Sequence, residues 1–250
     1  WYGLQAMTEA AGSLETAEDE PEGEAGDLTS MDTQAVRNVY RRAGILDDDI
    51  SSLVHVYFAD LTRPVESAVF TLRQVERMRE VPACSSVYIV ENPPVFSTLL
   101  DVTSALQEWF GSLSSLPEQK NRPVLICTSG QPSLAAVQLI SRCLEASGAT
   151  CKLFYSGDFD VKGVDIGQSL ARRFGDRFIP WRFDSQTYET WCRTGPLFNE
   201  QEKTRLGDFI ADWDESLCRT MAKHGRKCFQ ETFIDDLLQD WYAVLNICYS

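Results

Sequence analysis

From residue 87 onward, short apolar runs alternate with stretches of helical spacing, and that alternation leaves few architectures open. Val87-Tyr-Ile-Val90, Val124-Leu-Ile-Cys-Thr128, Lys152-Leu-Phe-Tyr-Ser156 and the run 178–183 are each of strand length. After the first, Asn92 can cap a helix whose first position is Pro93. After the second, Ser129-Gly-Gln131 leads to a helix from Pro132 to about Ala146, stopped by Gly148; after the third comes a helix over 164–174, stopped by Gly175. Apolar strands alternating with helices imply a parallel sheet covered on both faces. The expected class is therefore α/β, a parallel sheet flanked by helices. Amphipathic stretches near 200–211, 215–224 and 231–245 add a helical C-terminal extension.

The upstream part is different. Residues 1–30 are rich in Glu, Asp, Ala and Gly and read as an acidic flexible linker. Residues 31–80 read as an extension: a helix over 32–42, a strand over 53–58 and a helix over 72–80, with 81–250 as the main domain. The net charge is −14, but residues 1–50 hold 12 of the 37 acids and only three Arg, a local balance of −9. Bulk basicity cannot carry nucleic-acid binding here, whereas a local basic stripe in the remainder is compatible with the composition. The eight cysteines form no Cys-x-x-Cys pair, and His55 and His224 have no ligand-like spacing to them. This argues against zinc and for buried thiols in a reducing compartment. No 18-residue apolar stretch and no signal-like segment is present, so a cytoplasmic protein with no membrane association is expected. A chain opening on Trp1 is read as a fragment whose upstream part carries further function.

The chemistry sits at the strand ends. Asp158 and Asp160 follow the 152–156 strand two residues apart, a spacing that turns both carboxylates the same way. Glu91 ends the 87–90 strand, and with Asn92 already supplying a cap it has no local role. In open α/β sheets ligands bind beyond the carboxyl ends of the strands, where these acids would converge. Asp158 and Asp160 have an alternative reading as turn caps before the following helix. Together they repel and raise one another's pKa, which a hard divalent cation relieves.

Other residues take their meaning from that cluster. Ser129, Gly130, Gln131 and Ser133 lie between a strand and a helix, where backbone N–H groups favour an anion, although the glycine spacing and Lys of a P-loop are missing. Lys162 could contact a scissile phosphate and Gly163 permit close backbone approach. Arg172, Arg173 and Arg182 make the following segment locally basic, either a DNA stripe or a solvated face. Trp181, Trp191, Trp213 and Trp241 read as core.

In this order, Val90-Glu91-Asn92, Gly130-Gln131-Pro132 and Asp158-Phe159-Asp160-Val161-Lys162-Gly163-Val164-Asp165-Ile166 resemble the Toprim family, close to the A subunits of type IIB topoisomerases. Cys127-Thr-Ser-Gly-Gln-Pro-Ser133, Gly157-Asp-Phe-Asp160 and Pro180-Trp-Arg-Phe183 further resemble the C-terminal nuclease domain of the JetD subunits of Wadjet plasmid-defence systems. The resemblance covers roughly residues 44–245, departs at Val161 where an aromatic is expected, and leaves an upstream DNA-binding domain missing or reduced to the segment 31–43. It implies a DNA endonuclease using Mg²⁺ or Mn²⁺ held by Glu91, Asp158 and Asp160, with Lys162 beside them. It also implies double-stranded DNA and an SMC-like ATPase complex as partners, with a homodimer as a further expectation. Two alternatives stand beside it: an inactive scaffold of the same fold that docks partners, and a topoisomerase- or primase-like phosphotransfer enzyme. The tyrosyl chemistry of the former would need a tyrosine from an upstream domain, and Tyr40 is the one candidate there.

Overall fold

Strand β4 (Val124–Cys127) buries all four of its side chains, as only a strand covered on both faces does. Its neighbours complete a six-stranded sheet in the order β2-β1-β4-β3-β5-β6, with β1 at Leu53–Phe58, β2 at Ala68–Thr71, β3 at Ser86–Val90, β5 at Lys152–Ser156 and β6 at Phe178–Pro180. The computed structural model describes residues 48–60, 63–111 and 122–245. The acidic linker, the helix expected over 32–42, Tyr40 and Cys248 fall outside the described residues.

Strands β4, β3, β5 and β6 run parallel, as the strand-helix alternation requires. The other two do not. β1 is antiparallel to both β2 and β4, so the sheet is mixed and mostly parallel. β1 lies inside the sheet beside β4, so described residues on both sides of position 80 contribute to one sheet.

Eight helices flank the sheet among the described residues: α1 (Leu72–Arg77), α2 (Pro93–Gly111), α3 (Leu134–Ser147), α4 (Val161–Phe174), α5 (Ser185–Trp191), α6 (Glu200–Asp208), α7 (Leu217–His224) and α8 (Ile234–Val244). Side-chain caps set several boundaries. Ser133 accepts from Ala136 N–H, so α3 begins two residues after Pro132; Asp160 accepts from Gly163 N–H, so α4 begins at Val161 rather than 164. The strand expected over 178–183 stops at Pro180, because Arg182 takes a left-handed φ of 51° that no strand accommodates.

Aromatic packing joins the C-terminal extension to the sheet. Tyr88 stacks on Phe154 with ring centres 4.6 Å apart and receives Trp181 and Trp241 edge-on at 4.9 and 5.5 Å. Trp241 also donates its indole N–H to Thr103 Oγ1 at 2.9 Å, pinning α8 to α2. Such ring pairs add roughly 0.5–1.5 kcal/mol each beyond the area they bury. The tryptophans 181 and 241 are core, as expected.

Topology fixes where a ligand belongs. From β3 the chain moves to β4 on one side and then returns to β5 on the other, so the connections after β3 and β5 part at β3. Crevices at such reversals, beyond the carboxyl ends of the strands, are where open α/β sheets hold ligands. Register aligns those ends: Val90 stands opposite both Cys127 and Ser156. Glu91, Thr128 and Gly157 therefore emerge side by side.

Candidate metal centre

Glu91 leaves β3 directly into this crevice and is almost fully buried, at 4% exposure. Its Oε2 accepts the Asp158 backbone N–H at 3.3 Å, which brings the acid of β3 onto the loop after β5. Burial first, and the Asp158 charge second, push Glu91 up to about 7. Gly157 makes this approach feasible: a Cβ there would stand 2.3 Å from the Tyr155 hydroxyl oxygen and 3.0 Å from Glu91 Oε2. Tyr155 is buried beneath the cluster, donating to Gly163 O at 3.2 Å; burial, reinforced by the Glu91 charge, raises its phenol well above the ordinary value.

Asp158 and Asp160 straddle Phe159, which is fully buried and pairs like a short strand with Cys228. Asp158 Oδ1 accepts from Gln230 N–H and from Asn92 Nδ2, both at 2.7 Å. Burial nevertheless holds Asp158 above its usual range, against the lowering effect of those two donors. Asp160 Oδ1 accepts from Gly163 N–H at 2.7 Å and caps α4. The capping role weighed for this Asp pair thus belongs to Asp160 alone. Asn92 occupies the cap position of α2, its carbonyl accepting Phe96 N–H at 3.1 Å, but its side-chain amide serves Asp158.

Lys162 lies over the cluster with its Nζ 3.9 Å from Glu91 Oε1, and a Cβ on Gly130 would meet that Nζ at 2.7 Å. The lysine is more than half exposed. Gly163 does permit a close backbone approach, though the backbone that approaches is the protein's own: a Cβ there would lie 2.0 Å from the Asp158 carbonyl oxygen. A groove of about 480 Å³, lined by Asp160, Lys162, Asn199, Gln201, Glu202 and Arg205 among others, opens beside the first turn of α4.

The loop after β4 is placed against the same edge but is partly used up in structure. Gly130 N–H goes to Glu91 O at 3.3 Å. Ser133 Oγ caps α3 and donates to Leu53 O at 2.6 Å. Ser129, at a φ of 53°, and Gln131 are exposed. The arginines are not gathered at the acids. Arg172 and Arg173 stand in the last turn of α4, about 18–20 Å along the helix from Asp160. Arg172 lies 3.9 Å from Asp212, while Arg182 forms a two-pronged pair with Asp240 at 2.7 Å. Lys162 stands near the acids, and Arg205, which pairs with Asp165, lines the groove beside them.

Gln230 and Glu231 belong to the site and escaped the sequence reading. Gln230 is fully buried; its N–H holds Asp158, and its Oε1 accepts Asn92 N–H at 3.2 Å. Glu231 Oε2 lies 3.5 Å from Asn92 Nδ2. No local motif marks either residue, since each acts across a gap of 72 or more positions.

A family model described as "Protein of unknown function C-terminus (DUF2399)" matches residues 68–241, well over half of the chain. The chain belongs to the DUF2399 family. The DUF2399 match opens at the first residue of β2 and closes within α8, so it takes in Glu91, the Asp pair and Gln230 while leaving out β1. No curated protein matches the chain.

The donor set suits a hard cation. The acids present oxygen only, and Asp158 Oδ2 and Asp160 Oδ2 have no hydrogen-bond partner among the described residues. Two buried polar atoms beside them, Ser156 Oγ and Gln230 Nε2, are likewise unpartnered, and a hydrated ion offers partners to such groups. Among the described residues, no three His, Cys, Asp or Glu side chains already stand as a closed ligand set. One oxygen of each carboxylate is turned to an N–H instead.

Proposed function

We propose that this chain is a Toprim-type nuclease domain of the Wadjet JetD kind, hydrolysing DNA phosphodiesters with Mg²⁺ or Mn²⁺ in anti-plasmid defence, alongside an SMC-like ATPase complex. The observation that carries the reading is the meeting of Glu91 with Asp158 and Asp160 at the strand reversal, with Glu91 buried and its Oε2 3.3 Å from Asp158 N–H. A buried acid beside two half-buried ones opposes folding unless a cation or proton neutralises the group. A divalent ion bound there supplies Lewis-acid charge for a phosphate and a more acidic water.

The chain's own residues do the rest. Glu91, Asp158 and Asp160 would hold the ion, and Tyr155, Gly157 and Gly163 shape the floor that keeps them together. Lys162, exposed and 3.9 Å from Glu91, is the cation best placed to meet a phosphate oxygen at the mouth of the groove. Exposed Ser129 and Gln131 border the same edge.

One observation favours a second reading. The acids already satisfy part of their hydrogen-bonding capacity within the protein, which suits an inactive scaffold that only docks partners. Plasmid nicking or linearisation in Mg²⁺ or Mn²⁺ separates the two. Glu91→Gln, Asp158→Asn and Asp160→Asn are each expected to lower cleavage by more than about a hundredfold with melting temperature equal or higher. Cleavage retained in both Asp variants removes the metal-nuclease reading.

A further inference from the structure

The acids come from β3 and β5, yet what fixes Asp158 comes from the C-terminal extension. Phe159 and Cys228 exchange both backbone bonds, at 2.8 and 3.3 Å, which lays residue 228 alongside the Asp pair. Two residues on, Gln230 opens a short 3-10 helix (Gln230–Phe233), and its N–H, which such a helix cannot satisfy internally, points at Asp158 Oδ1 from 2.7 Å. The same oxygen takes Asn92 Nδ2, and Asn92 N–H is taken in turn by Gln230 Oε1 at 3.2 Å. Asn92, Asp158 and Gln230 thus close a ring of three hydrogen bonds that ties the loop after β3, the loop after β5 and the extension to one another. Gln230 is completely buried, and Asn92 and Asp158 are half-buried.

Resting on the metal-centre reading above, we infer that the 228–231 segment is a clamp for the centre and that Gln230 and Asn92 are positioning residues. They commit Asp158 Oδ1 and leave Oδ2 as its ligand oxygen. The extension is then a working part of the centre. Partners that orient a ligating carboxylate typically change metal affinity 10- to 100-fold when removed.

Position 230 permits an unusually clean test. Phe229 has φ −83° and ψ 150°, a conformation allowed before proline, and residue 230 is the first of its helix, where proline needs no N–H of its own. Gln230→Pro and Gln230→Ala both remove the side chain, but only the first removes the N–H to Asp158. In the full chain, calorimetric Mn²⁺ affinity is expected to be at least about tenfold weaker in Gln230→Pro than in Gln230→Ala. Asn92→Ala should weaken it by about tenfold against wild type. The Mn²⁺ concentration for half-maximal cleavage should shift alike, while the rate at saturating Mn²⁺ stays within about threefold. A structural defect alone would lower the melting temperature without this split. Equal affinity in Gln230→Pro and Gln230→Ala, or wild-type affinity in Asn92→Ala should the proline variant not fold, overturns the clamp while wild-type binding upholds the centre. Absence of Mn²⁺ binding by the wild-type chain overturns the centre, and the clamp with it.

Discussion

The strands β3 and β5 carry buried titratable clusters at both ends, and the two ends are built differently. Before the strands begin, Cys84 and Cys151 stand with sulfurs 3.8 Å apart; Cys84 Sγ also lies 3.3 Å from Ser147 Oγ, and Cys143 sits close by. Beyond the strands lie Glu91, Asp158 and Asp160. Hydrogen bonds to Cys143 and Cys151 lower Cys84, and the same contacts raise those two, so the three sulfurs offset one another inside their own cluster. Burial raises Glu91 and Asp158, but these groups are ionised in the unfolded chain at pH 7. Burying thiols is therefore close to packing, whereas burying carboxylates works against folding. The acid end is supplied with N–H donors, Gln230 N–H, Asn92 Nδ2 and Gly163 N–H, together with the Lys162 ammonium.

The widest separation between the ends is expected in catalysis. Asp158→Asn and Asp160→Asn should cut plasmid cleavage more than about a hundredfold, while Cys84→Ser and Cys151→Ser leave it within about twofold. Assayed side by side, comparable losses at both ends would erase the distinction. In stability the two ends lie closer together. Gly163→Ala drives a Cβ into the Asp158 carbonyl, and denaturant unfolding should report a loss of about 3 kcal/mol or more. Cys143→Ser places a hydroxyl in the apolar end and should lose about 1–3 kcal/mol.

Acidity sharpens the contrast. Glu91 titrates near 7 in the folded chain and near its ordinary value of 4.5 when unfolded, so the folded state binds the extra proton between them. Metal-free stability should fall as pH rises from about 5 to 8, because the unfolded state releases that proton first. Glu91→Gln should flatten this slope and raise the melting temperature at pH 8 more than at pH 5; Cys151→Ser should leave the slope as it is. A wild-type slope unchanged by Glu91→Gln would mean that the carboxyl is not held above its ordinary value.

How much of this was legible in the sequence follows from the range of the interactions. The parallel strands and their acids could be read because continuous apolar runs of strand length and the residues just after them are local signals. Ser133 and Asp160 moved helix starts by side-chain capping, and a left-handed Arg182 cut short the last strand. The antiparallel seat of β1 between β2 and β4 was hidden, since no local pattern records which edge a strand joins. Gln230 was hidden for a related reason. Its part in the site is a backbone N–H, and backbone donors carry no residue signature. The partners of the arginines were hidden too, because locally basic composition does not say which acids stand opposite; Asp212 and Asp240 answer Arg172 and Arg182 from distant elements.

The arginines give the smallest expected effect. Reversal of Arg172 and Arg173 to Glu, at the far end of α4, should change cleavage by less than about twofold, whereas Lys162→Glu should lower it about tenfold. DNA affinity measured against salt for the same variants should lose about one unit of slope with Lys162→Glu and little with the arginine pair. Equal effects would return the far end of α4 to the DNA path.

The central claim is that the three acids hold a divalent cation, and the melting temperature of the full chain tests it without requiring substrate or partner. At about a hundred times the dissociation constant, Mg²⁺ or Mn²⁺ should add roughly 2.7 kcal/mol, a rise of roughly 5–10 °C at pH 8, with K⁺ at matched ionic strength giving none. The rise should vanish in Asp158→Asn and persist in Cys84→Ser. A flat wild-type melting temperature, or an equal rise in Asp158→Asn, would contradict the account.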